Sequence, residues 1–405
     1  MSEFNAKTIC VLGRQPALGL AELESLYGAD QVEPLAGAAL LNIEPENIDF
    51  KRLGGTIKTA RILATLPYTD WKSVNKYLLT KIPEHLQTAP EGKFTLGISV
   101  YGLSVSLNDL NKSNLGLKKV IKASGRPVRI VPNMNLELNS AQVLHNKLTH
   151  RGAWELLLIS NAQETILAQT LFVQDIDAYA ARDQVRPKRD ARVGMLPPKL
   201  AQILVNLATG LPEQELELDS TADRARIRVL DPFCGTGVVL QEALLMGYSV
   251  IGTDLDQRMV EYTQENLRWL VEKYPLVAGQ VSVEAGDATN FVWPGFSVVA
   301  TETYLGRPLT TLPERSKLNE IVRDVNTITA KFLRNLSGQM KTGQKAAIAV
   351  PAWRTGNTFL HLPVVDQLTD MGYNYLDLKH VRRQELIYFR ENQVVARQLI
   401  ILEKV

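Results

Sequence analysis

Three acidic residues stand where apolar runs end. Asp231 closes IRVLD (227–231), Asp254 closes SVIGTD (249–254), and Asp287 follows VSVEAG (281–286). If these runs are strands alternating with helices, the three carboxylates share the carboxyl edge of one sheet, where open α/β sheets bind ligands. After Asp231 the chain turns through Phe233, Cys234, Gly235, Thr236 and Gly237 into the apolar run VVLQEALLMG. Glycines there let the backbone approach a ligand, and the first N–H groups of the following helix are free to bond it. Asp254, with Leu255 beside it, is placed to accept protons from ribose hydroxyls. Asp287, with Ala288, is placed to accept the amino proton of an adenine ring. Each acid alone could be a turn or helix cap; three in register point to a ribose-containing cofactor. The spacing is not G-x-G-x-x-G, which argues against a nicotinamide dinucleotide.

The elements that must carry these residues follow from the hydrophobic pattern. From residue 227 onward strands and helices alternate, which implies a doubly wound, largely parallel, Rossmann-like sheet. LIYFR and VVARQLIILE (386–403) read as an antiparallel hairpin at its end. Upstream, TICVLG (8–13), a helix over 17–27, AALLNIE (38–44) and LGGTIKTARIL (53–63) suggest a small α/β domain over 1–65. A second α/β module is expected over 66–178, with helices near 70–88, 106–123 and 140–150. Its strands are expected at 94–102, 128–132, 154–160 and 165–174. Residues 179–200 differ in kind: Arg182, Arg186, Lys188, Arg189 and Arg192 surround prolines, and Pro197-Pro198-Lys199 opens a helix. They read as a linker into the last domain, 201–405.

Composition excludes several classes. The chain has 405 residues, 45% hydrophobic and 22% charged, so several packed domains are expected rather than disorder. Two cysteines and five scattered histidines offer neither a disulfide framework nor a metal site, and no bound metal is expected. The formal net charge of +2 does not by itself announce a polyanionic partner. No apolar run approaches the roughly 20 residues of a membrane span and the N-terminus lacks a signal-peptide pattern, so a cytoplasmic protein is expected. No heptad or apolar strip fixes an oligomeric state.

DPFCGTG, GTDLD and GDA together resemble class I S-adenosylmethionine-dependent methyltransferases that act on exocyclic base amines. ARDQVRPKRDARVGMLPPKLAQILVNLA resembles the segment preceding that domain in THUMP-containing tRNA guanine-N2 methyltransferases. LGGTIKTARIL and the module over 94–175 are similar to the N-terminal and THUMP regions of that family. The resemblance implies S-adenosylmethionine as cofactor, with Asp231 and the loop to Gly237 at its methionine end. It also implies that the linker folds over the cofactor, bringing Arg189, Asp190, Met195, Pro197 and Lys199 to the site.

At the end of the fourth strand the family carries an acid-Pro-Pro-Tyr-Gly motif. A base amine is a poor nucleophile because its lone pair is delocalised into the ring. An acid oxygen and a backbone carbonyl accept its protons, and the aromatic ring stacks on the extruded base. Here the strand reads SVVATETYLG. One register puts Glu302 at the acid, Thr303 and Tyr304 at the prolines and Leu305 at the aromatic. The other puts Thr301 at the acid and Tyr304 at the aromatic. The expectation is a hybrid in which Glu302 accepts the amine protons and Tyr304 stacks. Methylation of guanine N2 in tRNA is the implied activity. A catalytically inactive RNA-binding protein and a DNA amino-methyltransferase are the alternatives.

A THUMP-like module implies tRNA as partner, held by shape and phosphate contact. Lys112, Lys118, Lys119, Lys122, Arg126 and Arg129 lie in an acid-free stretch and are the candidate phosphate contacts, although such a run is also what a solvated helix face looks like.

Overall fold

The computed structural model describes residues 4–190, 196–210, 221–274 and 279–405. They form two compact units. The first comprises Met1–Arg14, Asp30–Lys51 and Thr56–Asp177; the second comprises Gln15–Ala29, Arg52–Gly55 and Ala178–Val405.

In chain order the first unit holds β1 (Thr8–Leu12), and α1 (Pro16–Tyr27) follows as part of the second unit. Then come β2 (Val32–Leu35), β3 (Ala38–Leu41), β4 (Thr56–Leu66), α2 (Trp71–His85), β5 (Phe94–Tyr101) and α3 (Leu107–Ala123). β6 (Val128–Ile130), α4 (Ser140–His145), β7 (Ala153–Ser160) and β8 (Thr165–Val173) complete it. All eight strands belong to one sheet, ordered β2-β3-β1-β4-β8-β7-β5-β6. β4 pairs with β1 on one side and β8 on the other, so the sheet runs unbroken across the boundary expected after residue 65. α2 and α3 form where Asp70 and Ser106 cap their first turns and where Val74, Leu78 and Ile82, then Leu110, Leu117 and Ile121, line one buried face. The helix expected over 140–150 stops at His145, and Lys147 takes a left-handed φ of 53° just beyond it. Inside the sheet Lys58 is ion-paired with Glu155, which also accepts the hydroxyls of Ser99 at 2.6 Å and Thr170 at 2.7 Å. A buried charge pair is tolerable only when its remaining atoms are bonded in this way.

The second unit resumes at Ala178 within α5 (Ile176–Ala180) and continues through α6 (Pro198–Thr209), α7 (Thr221–Arg224), β9 (Arg228–Asp231), α8 (Val238–Leu245), β10 (Ser249–Asp254) and α9 (Gln257–Lys273). It then has β11 (Val281–Ala285), β12 (Val298–Glu302), α10 (Arg315–Ser337), β13 (Lys345–Thr355) and β14 (Thr358–Leu360). β15 (Tyr373–Tyr375), β16 (Ile387–Tyr388) and β17 (Val395–Lys404) end it. The main strand order is β11-β10-β9-β12-β13-β17-β15. β9 to β13 run parallel and β17 is antiparallel to β13. The hairpin expected at 386–403 is present, with β16 only two residues long, and β17 pairs chiefly with β13. From β9 the chain winds outward to β10 and β11, then returns to β9's other side as β12. The crevice between β9 and β12 is therefore the switch point of the sheet.

Val299, Ile348, Val350, Ile400 and Leu402 pack with Val325, Phe332 and Leu333 of α10 on one face of this sheet. α6 packs against β12 and β13, where the fully buried Ala300, Ala347 and Ala349 stand. A buried carboxylate ties in the outlying segments. Glu22 of α1 accepts the N–H groups of Gly54 and Gly55 at 2.9 and 2.8 Å and the amide of Asn206 at 2.7 Å. Burial pushes its carboxyl up to about 7. The two glycines are required by close approach, since a Cβ on Gly55 would lie 2.3 Å from Gly19 Cα. The run LGGTIKTARIL is thus divided: its glycines belong to the second unit and its strand to the first.

Candidate active site

A cavity of about 590 Å³ opens at the switch point, inside the roughly 300–1,000 Å³ range of small-molecule clefts. Its wall includes Asp231, Phe233, Gly235, Thr236, Asp254, Leu255, Asp287, Ala288, Glu302 and Tyr304. These ten were singled out from the sequence, and the fold brings them together from the ends of four strands. Leu196, Val238, Val239, Asp256, Gly286, Thr303, Leu305 and Ile328 also line it. Asp256, Gly286, Thr303 and Leu305 lie within three residues of a strand end, and Val238 and Val239 open α8. Ile328 comes from α10, and no local pattern marks it.

The loop after β9 takes its shape from glycine and from Asp254. Gly235 and Gly237 have φ values of 53° and 84°, and a Cβ on Gly237 would sit 2.9 Å from Thr263 Cγ2. Asp254 Oδ2 accepts the Gly235 N–H and Oδ1 accepts the Asp256 N–H, each at 2.9 Å. Asp287 Oδ1 accepts the N–H and hydroxyl of Thr289 at 2.9 and 2.8 Å, which turns the chain after β11. Asp231 is fully buried and accepts the Thr301 hydroxyl at 2.5 Å and the Phe233 N–H at 3.2 Å.

Among the described residues, those lining the cavity include no lysine or arginine. Burial is the main reason the Asp231 carboxyl is pushed up to about 7, and the neighbouring Asp254 and Glu302 push in the same direction. Burial likewise raises the Asp254 carboxyl. Such a site favours a cationic ligand and disfavours a pyrophosphate.

Some sequence candidates lie elsewhere. Thr301 is completely buried behind the wall, where it bonds Asp231, so it is not positioned as the acid-equivalent residue. Gly237 shapes the loop without lining the cavity. Of the linker, Leu196 reaches the cavity, whereas Arg189, Asp190, Pro197 and Lys199 are not on its wall; Met195 and Arg192 lie outside the described residues. Asp190 instead pairs with Arg258 of α9 at 3.2 Å. The linker is fastened to the helices that follow the loop. Arg182 donates to Glu242 at 2.8 Å, and Asn266 bridges Lys188 O and Thr236 O, both at 2.9 Å.

The chain shares its fold with TrmN from Thermus thermophilus: the two align over 99% of this chain and 100% of that one, with a TM-score of 0.50 and 17% identity. The shared architecture is a doubly wound, Rossmann-like α/β fold. No family model matches the chain. Among curated proteins it is similar to the tRNA (guanine(10)-N2)-dimethyltransferase of Methanothermobacter thermautotrophicus, 48% identical over 75 residues. Those residues are 18% of each protein. It is also 35% identical over 127 residues to the protein of the same name from Pyrococcus abyssi, across 30% of this chain and 32% of that one. The chain thus spans about a third or less of the length of these two relatives.

The end of β12 is where the sequence departs from the acid-Pro-Pro pattern. Thr303 donates its N–H to Ala349 O at 2.9 Å, a ladder bond that proline could not make. The strand pairing therefore continues one residue past Glu302. Tyr304 follows on the cavity wall, 42% exposed. Glu302 is held by Arg397, whose Nε donates to Oε1 at 2.8 Å. Nothing in the local sequence pointed to Arg397.

In the first unit, Lys112, Lys119, Lys122 and Arg129 are exposed, and Lys118 is half-buried. Arg126 is not a free cation: it donates to the carbonyls of Leu86, Ala89 and Pro90 and packs over the Phe94 ring. It fastens the chain after α2 to β5. Among the described residues no helix is long and apolar enough to cross a membrane, and no group of His, Cys, Asp and Glu could hold a metal.

Proposed function

We propose that the chain transfers a methyl group from S-adenosylmethionine to an exocyclic amine of an RNA base, guanine N2 in tRNA. The observation that carries this reading is the switch-point cavity itself. It sets three strand-end carboxylates on one wall, with Glu302 and Tyr304 beside them. S-adenosylmethionine fits the charge balance, because its ammonium and sulfonium cations offset the crowded acids around Asp231. The partial similarity to proteins named as tRNA guanine dimethyltransferases supports guanine and tRNA as substrate.

Asp231 and the Gly235 to Gly237 loop would hold the methionine end, Asp254 the ribose and Asp287 the adenine. Leu255, 76% exposed at the cavity, would give the adenine an apolar contact. The cofactor supplies an electrophilic methyl: as the N–C bond forms, the C–S bond breaks, its electron pair goes to sulfur, and the amine sheds one proton. Tyr304 would stack on the extruded base and keep the amine in line. Glu302 would accept the departing proton through the oxygen not bonded to Arg397, drawing electron density onto the nitrogen. The exposed lysines of α3 would contact tRNA phosphates, and a tRNA substrate would place the protein in the cytoplasm.

Incubation with labelled S-adenosylmethionine and unmodified tRNA transcripts, followed by nucleoside analysis, tests this. Labelled N2-methylguanosine is the expected product. Cofactor binding with no label in any RNA would favour a non-enzymatic RNA-binding protein, and label in duplex DNA a DNA amino-methyltransferase.

A further inference from the structure

Glu302 and Arg397 are 95 residues apart in sequence and two strands apart in the sheet. Between β12 and β17 lies β13. Glu302 is in register with Ala349, and Ala349 with Leu399; one step along the same face, Pro351 is in register with Arg397. Residues two apart on a strand share a face, so Arg397 and Glu302 project on the same side of the sheet. Backbones two strands apart are roughly 10 Å from one another, a gap that two long side chains can close together. The residue in Glu302's own row on β13 is Ala349, whose methyl leaves the path open. The side chains of Arg397 and Glu302 are only 7% and 13% exposed. An arginine this deep costs free energy unless it is paired.

We propose that Arg397 is a positioning residue for methyl transfer, holding Glu302 so that one carboxylate oxygen is fixed and the other is presented to the substrate amine. The inference rests on the methyltransferase reading given above. Three observations favour a role at the site over a merely structural one. First, the anion it holds lines the cavity, rather than sitting inside the sheet as Glu155 does with Lys58. Second, no proline stiffens this strand end, and glutamate has one more rotatable bond than aspartate, so its carboxylate needs an outside anchor. Third, the contact is made to Oε1 alone, which leaves Oε2 as the acceptor for the proton released when the N–C bond forms.

The test compares wild type with R397M, R397K, E302Q and the double variant E302Q/R397M. It reads kcat and tRNA KM with labelled S-adenosylmethionine, and cofactor Kd by calorimetry. R397M is expected to lower kcat at least thirtyfold while KM and cofactor Kd stay within threefold. R397K, which restores a cation, should recover part of that loss. The double variant, which strands no buried charge and covers the case in which R397M does not fold, should be no slower than E302Q alone. R397M with wild-type kcat, or a loss confined to KM or Kd, or a double variant far slower than E302Q, overturns the positioning role while leaving methyl transfer intact. A wild-type protein that binds cofactor but labels no RNA overturns both.

Discussion

Asp254→Asn separates the cofactor role of this residue from its role in the loop. In the folded chain Asp254 accepts two backbone N–H groups, from Gly235 and Asp256, both at 2.9 Å. Asparagine keeps one acceptor oxygen and turns the other into a donor, which faces one of those N–H groups. Losing one hydrogen bond to a charged acceptor costs roughly 1.5–3 kcal/mol. The substitution also removes a carboxylate that burial disfavours, so the net change in stability should be below about 2 kcal/mol. For a unit of this size that is a Tm drop under about 8 °C. Ribose binding has no such compensation. Two hydroxyls that donate to the carboxylate would lose the charge on their acceptor and one acceptor outright, about 2–3 kcal/mol, or roughly a thirtyfold to hundredfold rise in Kd. Calorimetric titration of S-adenosylmethionine, with a melting curve on the same sample, measures both. A Kd within threefold of wild type, in a variant that melts normally, would remove Asp254 from the cofactor site.

Three further outcomes are expected. Glu302→Gln should retain cofactor affinity and lose methyl transfer at least a hundredfold, the usual contribution of a positioned general base; a fully active variant would show that the proton acceptor is another group. Glu22 makes stability pH-dependent. Its carboxyl stands at about 7 when folded against an ordinary 4.5, so the folded state binds the extra proton between these values. The stabilisation is complete below about 4.5 and is lost as pH rises to about 7, on the order of 3 kcal/mol in all. Urea melts across that window should show wild type losing about 3 kcal/mol relative to Glu22→Gln as pH rises, on top of a constant offset because the variant turns an amide N–H toward a backbone donor; parallel curves would contradict this. On the RNA side, Lys119→Glu with Lys122→Glu should weaken tRNA binding and flatten its salt dependence, whereas Arg126→Ala should lower Tm through its three carbonyl contacts. Equal effects of both changes on the salt slope would mean that Arg126 also meets phosphate.

Much of the cofactor half could be read in the sequence, because its signals are local. Each acid stands on its strand end or within two residues of it, in one stretch of chain. Alternation of strands and helices then sends each such stretch to the same edge of the sheet. That is why Asp231, Asp254 and Asp287 could be assigned to one crevice from the sequence, whereas Glu302 and Tyr304 were expected beside them through the resemblance at the end of the fourth strand. The rest depended on which strand lies beside which. Spacing gave no sign that β17 inserts next to β13 and carries Arg397 to Glu302, or that α1 and Leu53–Gly55 fold with the second unit around Glu22. Nor did it distinguish Arg126, bonded to three carbonyls, from the exposed lysines around it. Thr301 and Glu302 are adjacent and both able to hydrogen-bond, but the pleat sends one inward to Asp231 and the other to the cavity. Side-chain chemistry is written residue by residue; the partner that each polar group meets is set by long-range strand pairing, and only the folded sheet fixes it.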